Sequence, residues 1–322
     1  MLASFPESSG DHGRILMVPF DGQFAESVML PLARAAYDGT TPPEGFVPDQ
    51  TAFGIIANPH HPELQSRLSK LDPAEQSRRQ RMLASMLEQP PRPREGVLDS
   101  AEPRLAASAA PNLHFGWFCL DQPNKRLVVA FRGTHFIGDW LNDFDFLPAP
   151  YAPVPGGGTV HDGFQFVYLA VRENLIALVN KYSPDYDRTL ITGHSLGGAL
   201  CALAAPDLLN ANPKQQPTVY TWAEPRVGKS DFAKFYDARV NICYRIVNLW
   251  DVVPHLPPEL AAYEHEGVQV TIDSGFSLNV AHNHMLKTGY VPGMHKWNQE
   301  HSAQSTRHLG RMAAPAMVGR VR

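Results

Sequence analysis

The run Arg188-Thr-Leu-Ile-Thr-Gly-His-Ser-Leu-Gly-Gly-Ala-Leu-Cys-Ala-Leu-Ala204 restricts what this chain can fold into more than any other stretch. Its front half, Thr189 to Thr192, is short, apolar and β-branched, and reads as a buried strand. Its back half, Leu196 to Leu209, is rich in Ala and Leu and reads as a helix. Between them Gly193-His194-Ser195-Leu196-Gly197 fits G-x-S-x-G, a sharp strand–turn–helix elbow. The two glycines leave room where the turn is too tight for a Cβ. The turn lifts the Ser195 hydroxyl out of the sheet, at the N-terminus of the following helix, where a developing anion is favoured.

The flanking chain supplies alternating elements. Glu26 to Tyr37 reads as a helix ended by Asp38-Gly39, and Leu113 to Leu120 and Arg126 to Phe131 as two strands of a hairpin. Phe164 to Tyr182 has the three–four spacing of an amphipathic helix, with Phe164, Val167, Tyr168, Val171, Leu175, Leu178 and Tyr182 on one stripe. Thr218 to Trp222, Ile242 to Val247 and Val268 to Ile272 read as further strands, with a short helix near Phe232 to Asp237. Such alternation predicts an α/β fold with a mostly parallel central sheet covered by helices on both faces. Ligands of such sheets bind at the carboxyl ends of the strands. Thr134, Ser195 and Asp251 each follow a predicted strand and should converge there.

With 322 residues, the chain reads as a single domain over 1–300, with a proline-rich insertion at about 43–111 and a flexible tail at 301–322. The insertion contains one clear helix, capped at Asp72-Pro73-Ala74-Glu75 and stopped at Pro90-Pro91, and is expected to lie on the domain surface. A formal net charge of −4 implies no general attraction to nucleic acid or anionic lipid. Cys119, Cys201 and Cys243 lie in apolar segments and read as buried free thiols. No stretch reads as a transmembrane span or a signal peptide, which leaves a cytoplasmic or a leaderless, mature secreted form as the expectation for localisation.

A serine hydroxyl becomes a nucleophile when a base takes its proton, and that base is usually a histidine oriented by a carboxylate. In chains with this elbow the order is Ser, acid, His. Asp251 stands out among Asp207, Glu224, Asp231, Asp237 and Asp251, because it opens the loop directly after a strand. Surface roles are expected for Asp207, Asp231 and Asp237. Among later histidines, His255 is too near Asp251 and His265 suits a structural hydrogen bond. His282, His284 and His295 remain, with His284 favoured by the short helix or turn that follows it. No Cys pair or carboxylate at ligand spacing supports a metal at His282 and His284. A tetrahedral intermediate needs two N–H donors. The candidates are Leu196, after the nucleophile, and Thr134, ending Phe131-Arg132-Gly133-Thr134.

These runs, with Asp139-Trp140, His161-Asp-Gly-Phe164, Glu224-Pro-Arg-Val-Gly228, Arg245-Ile-Val-Asn248 and Asp251-Val-Val-Pro-His-Leu-Pro257, resemble the class 3 lipases. The resemblance covers about residues 115–292, with a weaker echo at Leu32 to Tyr37. It implies an α/β-hydrolase fold, Ser195 as nucleophile, Asp251 as acid, Thr134 and Leu196 as oxyanion donors, and a lid just after Thr134. A histidine shortly before an aromatic, as the family has, again favours His284, with Tyr290. Within the lid segment, Phe136, Ile137, Trp140 and Phe144 fall on one helical face. The implied activity is hydrolysis of acylglycerol esters at a lipid–water interface, without a cofactor or metal. The alternatives are an esterase for smaller or aromatic esters, a phospholipase A1, and a catalytically silent binding protein. The family usually has the elbow nearer the N-terminus, so residues of about 43–111 read as an insertion, and no leader or disulfides of the kind that secreted fungal members carry are read here.

Overall fold

The computed structural model describes residues 19–39, 41–46, 52–87, 114–134 and 147–312. The strands are β1 (Ala52–Ile56), β2 (His114–Asp121), β3 (Arg126–Phe131), β4 (Pro148–Pro150), β5 (Thr159–His161), β6 (Arg188–His194), β7 (Gln216–Trp222), β8 (Ile242–Asn248) and β9 (Val268–Ile272). Seven of them form one sheet in the order β1-β2-β3-β6-β7-β8-β9, and β4 and β5 make a small separate ribbon. The β1–β2 and β2–β3 pairs are antiparallel, and every pair from β3 to β9 is parallel.

Both faces of the sheet are covered, so strand β3 is apolar on both of its faces after Arg126. In β3, Leu127, Val129 and Phe131 enter one core, and Val128 and Ala130 enter the other, as a period of two requires. Each fully buried Leu, Val or Phe of this kind contributes about 1.5–3 kcal/mol. The first face carries the long helix Asp162–Tyr182 and the helix Leu196–Ala211 that follows the elbow. The second carries the N-terminal helical segment, 22–35, and the C-terminal helix Val291–Met312. The N-terminal segment widens to a π turn over Ala25–Met29 just before Pro31. A proline has no N–H to give a helix, and a widened turn accommodates that gap.

Three expectations differ from the structure. Part of the segment expected to lie on the surface is built into the fold: β1 is an edge strand, and Leu64, Leu68 and Leu83 join the first core. Arg79, on the insertion's polar helix Pro73–Leu87, is buried, and its charge meets Glu75 at 2.6 Å and Asp162 at 2.8 Å. The helix that starts at Val291 runs to Met312, through the first part of the segment expected to be a tail. Asp207 is not at the surface. It is fully buried and accepts from Arg172 Nε at 2.7 Å, Arg172 Nη2 at 2.9 Å and Tyr168 Oη at 2.7 Å. All three cysteines are buried and free. No helix among the described residues is long and apolar enough to cross a membrane.

Candidate active site

The parallel register fixes where the candidate residues meet. Phe131 lies beside Gly193, His194 beside Trp222, and Trp222 beside Ile246. The segments after β3, β6 and β8 therefore leave the sheet at one edge, and they carry Thr134, Ser195 and Asp251.

At the elbow Ser195 has φ 58° and ψ −124°, a conformation that costs a side-chain-bearing residue of the order of 1–3 kcal/mol. Its N–H donates to the Trp222 carbonyl at 2.8 Å, which holds the turn. A Cβ on Gly193 would overlap the Gly197 carbonyl, and one on Gly197 would sit 2.5 Å from the Phe131 carbonyl oxygen. The G-x-S-x-G spacing is thus the condition for β6 to turn into its helix beside β3. Leu196 opens that helix, so its N–H has no intrahelical acceptor.

The loop after β3 is held by Arg132, which is buried against the Phe115 ring. Its guanidinium donates to the His114 carbonyl at 2.6 Å and the Gly133 carbonyl at 3.1 Å. A Cβ on Gly133 would lie 2.6 Å from the His194 carbonyl oxygen and 3.2 Å from Ser195 Cβ, so Thr134 begins right beside the nucleophile candidate.

Asp251 is buried and accepts from three donors. His284 Nδ1–H reaches Oδ2 at 2.8 Å and Oδ1 at 3.0 Å, Tyr290 Oη–H reaches Oδ2 at 2.7 Å, and Val253 N–H reaches Oδ1 at 3.0 Å. Burial, and then the Asp251 charge, push the Tyr290 phenol well above the ordinary tyrosine range, so it stays a donor. Asn248, at the end of β8, donates from Nδ2 to the Asn283 carbonyl at 2.8 Å and ties the histidine segment to the strand. Of the three histidines left open by the sequence, His282 is exposed, and His295 meets Glu26 at 2.9 Å on the surface. Only His284 faces Asp251. His265 donates from Nε2 to the Pro254 carbonyl at 2.8 Å, and its pKa is lowered to about 3, first by burial and then by Arg245.

Ser195 Oγ, His284 Nε2 and Thr134 Oγ1 are all buried without a hydrogen-bond partner among the described residues. Buried polar atoms are normally paired, and three unpaired ones at one sheet edge suit a reacting ligand. Among the described residues no group of three or more His, Cys, Asp or Glu could hold a metal ion. Phe136, Ile137, Trp140 and Phe144 lie outside the described residues.

Sequence reasoning missed two neighbours of this site, His194 and Tyr37. The His194 ring packs 4.6 Å from the His284 ring, and its Nε2–H donates to the His284 carbonyl at 2.8 Å. Tyr37 Oη lies 2.7 Å from His194 Nδ1. It also missed that Glu224, weighed as an acid, is buried alongside Glu266 and Arg245. Burial, and then the Glu266 charge, raise its carboxyl well above the usual range.

Known proteins resemble this chain over its middle. Residues 128–261 match the model of the lipase (class 3) family. A lipase of Rhizomucor miehei is 39% identical over 155 residues, which are 46% of this chain and 42% of that protein. A secreted mono- and diacylglycerol lipase of Fusarium solani is 34% identical over 157 residues, 48% of this chain and 46% of that protein. The solved Rhizomucor miehei lipase propeptide complex aligns with a TM-score of 0.45 at 35% identity, over 48% of this chain and 51% of that one. The chain thus spans less than half the length of the curated relatives it matches. His284 and Tyr37 fall outside the matched segment, which holds the Phe-Arg-Gly-Thr, Gly-His-Ser-Leu-Gly and Asp-Val-Val-Pro runs. These motifs lie in the part of the chain, residues 128–261, that is similar to the lipase (class 3) family.

Proposed function

We propose that the chain is a serine carboxylic-ester hydrolase that cleaves acylglycerol esters through an acyl-enzyme on Ser195. The observation that carries this reading is the Asp251–His284 pair, held at 2.8 Å beside the elbow with His284 Nε2 unpaired among the described residues. His284 Nε2 takes the Ser195 Oγ proton as Oγ attacks the ester carbonyl. The resulting imidazolium is stabilised by Asp251, and the carbonyl oxygen becomes an oxyanion. The backbone N–H groups of Leu196 and Thr134 receive it, each such donor being worth about 2.7–4 kcal/mol to the transition state. Collapse breaks the bond to the glycerol oxygen, which leaves with the proton from His284 Nε2. Water then gives its proton to His284 Nε2, attacks the acyl-enzyme, and releases the fatty acid as the proton returns to Ser195 Oγ.

A lipid substrate is supported by the rim of the site. Leu249, Trp250 and Val252 flank Asp251, and Phe276, Leu278, Val280 and Met285 flank His284, all of them exposed. Trp250 and Phe276 meet edge to face at 4.9 Å. Large side chains of this kind are costly to leave in water and fit an acyl-rich surface. The segment with Phe136, Ile137, Trp140 and Phe144 is proposed as a lid over this rim. The relatives named lipase and mono- and diacylglycerol lipase support the same substrate class. The test is tributyrin hydrolysis below and above its solubility limit. A jump in rate on emulsion formation, absent in Ser195→Ala, is expected. A smooth saturation curve favours an esterase for soluble esters.

A further inference from the structure

The two residues missed by the sequence are linked to the site from both sides. Tyr37 Oη accepts a backbone hydrogen bond from Gly133, and a Cβ on Gly133 would lie 2.5 Å from that hydroxyl. On its other side Tyr37 Oη lies 2.7 Å from His194 Nδ1, and His194 Nε2 lies 2.8 Å from the His284 carbonyl oxygen. A carbonyl can only accept, so Nε2 carries a proton. Burial, and then the His284 ring, hold His194 well below the usual histidine pKa, so its ring is neutral and Nδ1 accepts. The donor to Nδ1 is therefore the Tyr37 hydroxyl, which leaves its lone pairs for Gly133 N–H. Every bond in the chain points the same way.

We propose that Tyr37 and His194 are positioning residues, which lock the oxyanion loop at Gly133–Thr134 to the backbone of His284 through this one-directional run of hydrogen bonds. The inference rests on the hydrolase reading above and adds to it the device that keeps its two halves in register. The oxyanion loop leaves β3, and the base sits 33 residues after Asp251 on a short helix, Val280–His284. His194 stands next to Ser195 and touches both. Without the Tyr37 hydroxyl, Gly133 N–H and His194 Nδ1 lose their partner together. The ring is then free to move its proton to Nδ1, which releases the His284 carbonyl. Both the oxyanion donor and the base then lose their reference to Ser195. Displacements of about 1 Å at a reacting group cost on the order of 100-fold.

The experiment uses the full chain and a soluble short-chain p-nitrophenyl ester. Tyr37→Phe is expected to lower kcat roughly 10- to 100-fold with KM nearly unchanged, since the lost geometry matters in the transition state. His194→Gln, which can keep a donor toward the His284 carbonyl, should retain more activity than His194→Leu. The double variant Tyr37→Phe/His194→Leu should be no worse than His194→Leu alone, because both act through one chain of bonds. Histidine ¹⁵N spectra should show His194 as the Nε2–H tautomer in the native protein and as a mixture in Tyr37→Phe. Unchanged kcat in folded Tyr37→Phe, multiplicative losses in the double variant, or an Nδ1–H ring in the native protein would each overturn the proposal. The native-protein spectrum decides even where a variant does not fold. Turnover by Ser195→Ala would instead sink the hydrolase reading on which the proposal stands.

Discussion

Replacing Asp251 by Asn changes one atom and should stop the chemistry, for a reason that can be followed bond by bond. The carboxylate takes three donors on two oxygens: His284 Nδ1 on both, Tyr290 Oη on Oδ2 and Val253 N–H on Oδ1. An amide offers one oxygen only. Val253 N–H cannot turn away, so the amide oxygen must face it, and the NH₂ then points at Tyr290 Oη and His284 Nδ1. Tyr290 can rotate its hydroxyl and accept. His284 can accept only by moving its proton to Nε2, the nitrogen that must take the Ser195 proton. In serine triads the wrong tautomer costs on the order of 10⁴ in kcat. That corresponds to about 5.4 kcal/mol of transition-state stabilisation. The fold should survive, since side-chain volume is kept and all three neighbours can still pair with the amide. The assay is kcat on p-nitrophenyl butyrate for native protein and Asp251→Asn, with near-ultraviolet circular dichroism as the folding check. Retention of more than about a tenth of native kcat by a folded variant would contradict this role for Asp251.

Four further expectations follow from the same geometry. His284→Ala should be as damaging as Ser195→Ala, and His282→Ala within a fewfold of native, because only His284 meets Asp251; steady-state kinetics on a soluble ester decide it. Asp207→Ala strands Arg172 and Tyr168 and should cost about 3–5 kcal/mol in a urea melt. Glu224 and Glu266 both have raised pKa values in the fold, so their protonated forms are favoured there and stability falls as pH rises from the ordinary glutamate value toward the folded one. Glu224→Gln should flatten that decline, read as melting temperature against pH above about 4.5. Phe276→Ser removes a side chain that is 65% exposed, worth about 1–2 kcal/mol to a lipid surface. It should weaken partition to a tributyrin emulsion roughly 5- to 30-fold with soluble-ester kinetics unchanged, which a flotation assay and kinetics together measure.

What the sequence disclosed followed from local causes. The strand Val268–Ile272 is where alternation placed it, and the elbow glycines are required by contacts that a Cβ would destroy. The positions of Thr134, Ser195 and Asp251 follow from a parallel sheet whose strands end together. What stayed hidden depends on partners far away in the chain. The Asp207 carboxylate sits on an Ala/Leu helix, and nothing nearby in sequence announces Arg172, which is 35 residues earlier. Strand β1 is five residues with a glycine inside, among prolines, and gains its structure by pairing with β2. His194 occupies a variable position of the G-x-S-x-G pattern, and its tie to His284 spans 90 residues. Tyr37, 157 residues from His194, carried only the faint signal of the Leu32 to Tyr37 echo.

The proposed chemistry requires Ser195 to be a nucleophile activated by His284. The most direct measurement is intact mass and peptide mapping after reaction with a fluorophosphonate ester. One adduct per chain is expected, located on Ser195, formed quickly by the native protein and at a rate lowered by several orders of magnitude in His284→Ala. An adduct on any other residue, or equal labelling rates in the two proteins, would contradict that chemistry.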